Sequence, residues 1–165
     1  NIATSDSTDG AVLWYMGVMT GLPTLGGQNS GAYAINNLGQ IVGFSSSAAE
    51  TQTHAVLWAN GIITDLGDLG GGYSAAYGIN ELGQVVGDST PPDSGLRAFI
   101  WENGRMRVLP TLGGTDGEDY CHAKAINDSG MVVGDCFGTS APHAVLWDLW
   151  DNTSLYLPAI KRQAR

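Results

Sequence analysis

One unit, written almost four times, limits what this chain can fold into. The tryptophan that closes an Ala-Val-Leu-Trp-like run falls at Trp14, Trp58, Trp101 and Trp147, at spacings of 44, 43 and 46 residues. An Ile-Asn pair recurs at Ile35-Asn36, Ile79-Asn80 and Ile126-Asn127, and a Gly-Gly pair at Gly26-Gly27, Gly70-Gly71 and Gly113-Gly114. A fixed period of about 40–50 residues is the mark of a repeat architecture and suits one four-stranded propeller blade.

Within a unit the residues spell four strands. Ser74–Asn80 alternates, with Ala76 and Gly78 on one face and Tyr77 and Ile79 on the other, and period-2 alternation is the strand signal. The turn Asn80-Glu81-Leu82-Gly83 follows, with Asn first and Gly fourth as a type I turn favours. Gln84–Gly87 is a second strand rich in β-branched residues. His54–Ala59 and Ile62–Leu66 are a third and fourth, joined by Asn60-Gly61, a type I′ hairpin signal repeated at Asn103-Gly104.

The expected fold is all-β: tandem four-stranded antiparallel repeats, β-propeller-like, as a partial or oligomer-completed ring. Residues 1–160 form one repeat domain, divided into a partial unit 1–27 and units 28–71, 72–114 and 115–160, with a tail at 161–165. Asn1–Ser5 reads as a degraded second strand, so the first copy lacks its first. Phe44–Thr53, Asp88–Leu96 and Asp135–Pro142 differ among units and read as variable loops between strands two and three. Topology puts them opposite the tight turns, and variable loops on a rigid scaffold tend to carry function.

The motifs HAVLW, LGDLGG, AYGIN and GQVVGDS resemble the HAF-repeat family, extracellular repeats of bacteria. The resemblance covers nearly the whole chain and implies a secreted or cell-surface location. The family carries no established activity, so the resemblance transfers no catalytic residue. Two departures stand out: a tryptophan-rich last copy with Trp147 and Trp150, and an acidic insertion before the third Ile-Asn.

Charge narrows the partners. Seven Lys and Arg against 16 Asp and Glu give a net charge of −9. That argues against nucleic acid, whose binding rests on Lys and Arg displacing counterions. No apolar run reaches the length of a membrane span, and the sequence as read carries no signal-peptide pattern. The chain opens with Asn, as expected for a processed product or a piece of something longer. Terminal units with exposed faces point to self-association, as a dimer or open assembly, or to the rest of a longer repeat protein.

Candidate chemistry is sparse. Counting outward from the turn at Asp128-Ser129 places Cys121 opposite Cys136, at positions held by Ser30/Ser45 and Ser74/Ser89 in the other units. Directly opposed strand residues lie within disulfide reach, which suits an oxidising compartment; two buried free thiols are the alternative. A zinc site joining them to His122 lacks a recognisable fourth ligand. The insertion Thr115–Tyr120 brings Asp116, Glu118 and Asp119 onto one loop, a calcium candidate of hard oxygen ligands beside a solvated-loop reading; no other cofactor is implied. Trp150, outside the tryptophan register, is a candidate stacking platform for a sugar, with Tyr120 and Asp116 as further ligand-binding candidates. His54 and His143 precede Ala-Val-Leu-Trp and read as structural donors, and the four landmark tryptophans as core.

No G-x-S-x-G, P-loop or H-E-x-x-H motif occurs. The functional expectation is therefore an extracellular interaction or ligand-binding module, with an extracellular glycan as one ligand class. A self-assembling surface or filament repeat is an alternative. A glycan-active enzyme on the loop face is another, since paired carboxylates stay open.

Overall fold

The structure, a computed structural model, describes residues 10–92, 94–112, 120–137, 142–149 and 153–156. These form fourteen strands: β1 (Val12–Tyr15), β2 (Val18–Gly21), β3 (Gly26–Ile35), β4 (Ile41–Ser47), β5 (Thr53–Ala59), β6 (Ile62–Asp65), β7 (Ser74–Ile79), β8 (Val85–Ser89), β9 (Arg97–Glu102), β10 (Arg105–Val108), β11 (Tyr120–Ile126), β12 (Met131–Phe137), β13 (Pro142–Asp148) and β14 (Thr153–Tyr156). Three four-stranded antiparallel sheets, β3-β4-β5-β6, β7-β8-β9-β10 and β11-β12-β13-β14, follow a two-stranded β1-β2 hairpin. The expected four strands per unit are present in chain order. The second and third strands run further than their sequence signal, so the connections between them shorten to 48–52, 90–96 and 138–141. Asn1–Ser5 lies outside the described residues.

The turns carry the predicted chemistry. Asn60-Gly61 and Asn103-Gly104 have φ of 52°/77° and 51°/76°, the left-handed values of a type I′ turn. At the Asn80 turn, the Gly83 amide donates to the Asn80 carbonyl at 3.1 Å and Gly83 has φ 75°. The Asn80 amide in turn donates to the Gln84 carbonyl at 3.1 Å, so the loop holds three residues rather than two.

One expectation is corrected here. The alternation of Ala76/Gly78 against Tyr77/Ile79 is broken, because Ala76 pairs with Gly87 while Gly78 pairs with Val86, leaving Tyr77 as a bulge. The same register shift sets Tyr33 apart in β3 and Lys124 in β11. A bulge bends its strand and re-aims the extra residue. It also explains the glycine opposite: a Cβ on Gly87 would stand 1.9 Å from the Ala75 carbonyl oxygen, and on Gly43 or Gly134 1.8 Å from the equivalent oxygen.

Successive sheets bury their facing sides. Val42, Ala55, Ala76, Ile79, Val85 and Phe99 fill the space between the first two, and Val86, Ala98, Ile100, Ala123, Val132 and Trp147 that between the second and third. Trp58 and Trp147 are buried, and their indoles donate to the carbonyls of Pro23 and Pro110, each at 2.7 Å. Trp14 departs from the expected core role. It is 68% exposed, because the β1-β2 hairpin has no inner strands beside it among the described residues.

Hydroxyls stitch each unit to the one before. The Ala11 amide donates to Ser30 Oγ at 3.0 Å and the Ala55 amide to Ser74 Oγ at 2.7 Å. The amides of Leu25 and Leu69 donate to Ser45 Oγ and Ser89 Oγ, both at 2.9 Å. In the third sheet Cys121 and Cys136 take these places, directly opposed with Cα atoms 4.1 Å apart, and form a disulfide.

The double change Cys121→Ser with Cys136→Ser restores the serine pair of the other units. Loss of a loop closure of this length costs about 3 kcal/mol in the chain-entropy view, and each regained hydrogen bond returns about 1 kcal/mol. Urea denaturation should therefore show a net loss of about 1–2 kcal/mol. In the parent protein, neither thiol should alkylate before reduction.

Candidate functional site

The bulges gather side chains that the repeat frame alone would not bring together. Tyr33, Tyr77 and Lys124 occupy the three bulge positions, and Phe44, Asp88 and Asp135 stand beside them on the second strand of each sheet. The Tyr33 ring lies 5.8 Å from that of Phe44 and 5.1 Å from that of Tyr77 in the next sheet. The Tyr77 hydroxyl donates to Asp88 Oδ1 at 3.5 Å, and Asp88 Oδ2 lies 2.6 Å from Nδ1 of His122 in the third sheet. His122 meets Phe137 edge-on at 5.9 Å, and Lys124 forms an ion pair with Asp135. The result is one stripe of rings and ionisable groups across all three sheets.

Electrostatics divide the stripe into a buried middle and open ends. The Asp88 side chain is only 1% exposed, and burial raises its pKa above the usual carboxylate value against the opposing pull of His122. Burial also raises the Tyr77 and Tyr73 hydroxyls, so both remain neutral donors. Tyr33 is 54% exposed at one end; at the other the Lys124 side chain is 62% exposed.

Among the sequence candidates, Tyr120 joins this surface. It is 49% exposed, opens β11 opposite Phe137, and lays its ring over Gly95, where an added Cβ would come within 2.7 Å. Trp150, Asp116, Glu118 and Asp119 lie outside the described residues. His122 binds Asp88, and both cysteines are consumed in the disulfide, so the three do not form a zinc site. Nδ1 of His54 faces the two carboxylate oxygens of Asp65 at 3.0 and 2.9 Å, a pairing of two strands in keeping with its structural reading. No group of three or more His, Cys, Asp or Glu suited to a metal occurs among the described residues. No helix there is long and apolar enough to cross a membrane.

Sequence reasoning missed Tyr33, Tyr77 and Asp88 because the bulge has no residue of its own. Its one trace was the invariant glycine opposite, followed by a position that changes from Phe44 to Asp88 to Asp135. Comparison with known proteins adds no further guide: no family model, no curated protein and no solved structure matches the chain.

Asp88 gives the stripe a defined pH signature. A carboxyl whose pKa is raised on folding is held more tightly by a proton in the folded state than in the unfolded one. Its contribution to stability is therefore fullest below the unfolded value near 3.8 and declines as pH rises through the raised folded value. Asp88→Asn keeps the shape and removes the titration. Denaturation of both proteins from pH 4 to 7 should show the stability of the parent falling relative to the variant as pH rises.

Proposed function

We propose that this chain is an extracellular β-repeat binding module, its sheets arranged as an arc of a propeller, that holds a glycan along the aromatic and ionisable stripe. One observation carries the reading. The frame repeats its strands, turns and interunit hydrogen bonds, while the bulge and its neighbour change from Tyr33/Phe44 to Tyr77/Asp88 to Lys124/Asp135. A constant scaffold presenting varied side chains is how binding surfaces are built.

The chemistry of the stripe favours a sugar. Exposed Tyr33 and Tyr120 offer flat apolar faces with polar tips, and Asp135, Lys124 and His122 offer acceptors and donors for hydroxyl groups. The net charge of −9 disfavours a polyanion. An extracellular place is supported by the disulfide and by the HAF-like motifs. Asp88 is too enclosed to touch a substrate, so its raised pKa is read as the cost of a buried clamp between sheets rather than as an acid catalyst.

A neutral-glycan array tests this directly. Tyr33→Ala and Tyr120→Ala should each weaken retention about tenfold, the equivalent of about 1.4 kcal/mol for a lost aromatic contact. Retention that neither variant changes would move the site elsewhere. Release of shortened product would replace binding with hydrolysis.

A further inference from the structure

Each boundary between complete sheets is built twice in this chain to the same plan. On the strand that meets the preceding sheet, Ala76 and Ile79 in one copy and Ala123 and Ile126 in the next are buried or partly buried. At the same boundary the turn asparagine reaches forward: Asn36 Nδ2 donates to the Asn80 carbonyl at 3.0 Å, and Asn80 Nδ2 to the Asn127 carbonyl at 3.1 Å.

The β1-β2 hairpin occupies the outer half of one such unit. The Leu22 amide donates to the Ala11 carbonyl at 2.8 Å, as Leu66 does to Ala55 at 3.0 Å and Leu109 to Ala98 at 2.8 Å. The Ala11–Ser30 bond likewise matches the Ala55–Ser74 bond. The hairpin thus stands where third and fourth strands belong, and the inner two strands are absent among the described residues. Their place is an open groove of about 230 Å³ lined by Val12, Leu13, Tyr33, Ile35 and Ile41. Ile35 is 60% exposed there, against 9% for its counterpart Ile79. Among the described residues, the inner edge of β1 has no strand partner and no preceding asparagine reaches the Asn36 carbonyl.

We propose that this groove accepts the hairpin formed by the first two strands of another repeat of the same kind, added antiparallel to β1. The internal boundaries specify the occupant and its register. The Ile41↔Trp58, Val42↔Leu57 and Gly43↔Val56 pairs predict that donor positions 41, 42 and 43 face Trp14, Leu13 and Val12. The donor's asparagine then bonds the Asn36 carbonyl as Asn36 bonds that of Asn80. Main-chain pairing supplies affinity, and the apolar groove and asparagine supply specificity. The Ser30–Ser47 hairpin carries no charged side chain, so it meets no repulsion from an acidic partner.

The test uses the full chain, isotopically labelled, with a synthetic peptide of the sequence Ser30–Ser47. Amide exchange at Val12 and Trp14, whose N–H groups point away from β2, should slow at least tenfold at saturating peptide. A Val42→Asp peptide should bind at least tenfold more weakly. Unchanged exchange at excess peptide would overturn the proposal, as would equal binding of the Val42→Asp peptide. Slow exchange of these two amides in the monomeric chain before peptide is added would also overturn it, since the groove would then already be filled by the chain's own residues.

Discussion

The turn asparagine is the interaction on which the rest of the architecture depends. Asn80 Oδ1 accepts from the amides of Leu82 and Gln84 at 3.1 and 2.9 Å, which fixes the turn. Its Nδ2 donates to Gln84 Oε1 at 2.7 Å and across to the Asn127 carbonyl at 3.1 Å, which fixes the next sheet. One side chain thereby couples a local backbone shape to the spacing between sheets. Each bond is worth only about 1 kcal/mol net, but leaving such buried groups unpaired costs about 1–3 kcal/mol apiece. Asn36 repeats the arrangement and is also buried, so the ladder advances one unit at a time.

Much of this was legible in the sequence, and one success came about through two cancelling departures. Counting outward from a two-residue turn pairs Cys121 with Cys136, and Ser74 with Ser89, as the structure does. The real loop has three residues, which moves the register by one. The bulge at Lys124 or Tyr77 moves it back. Strands, turns and the opposed cysteines could be read because β-branched runs, Asn-Gly pairs and repeat spacing are properties of neighbouring residues. The bulge could not, because it depends on a carbonyl oxygen folding over Gly43, Gly87 or Gly134. The stripe was lost with it.

The third sheet shows how the frame tolerates exceptions. Gln40 and Gln84 each accept a bond from their asparagine, but Met131 stands in that place and offers no comparable oxygen. Asn127 still closes its own turn through the amides of Ser129 and Met131. The disulfide then supplies covalently what serine hydroxyls supply elsewhere, holding the first two strands of that sheet in register. The first hairpin has the opposite problem: Met16 adopts φ 49° at the turn where the next two units place Asn60 and Asn103. A β-unbranched residue can occupy that region only at some cost. Local imperfection thus falls in the first and last of the described sheets.

The open groove and the glycan stripe share Tyr33, and this ties the two proposals together. Tyr77 is partly covered because the Tyr33 ring of the preceding sheet rests 5.1 Å away. A hairpin seated in the groove would set its own tyrosine against Tyr33 in the same manner. The exposed ring at the end of the stripe would then belong to the donor, and the stripe would lengthen by one unit without losing its terminal platform. Binding of hairpin and glycan would therefore be coupled through a ring that both contact, and the coupling would be reciprocal in free energy. A ligand spanning only Tyr33 would compete with the hairpin. One long enough to reach the added tyrosine would strengthen it, so glycan length would set the sign of the effect.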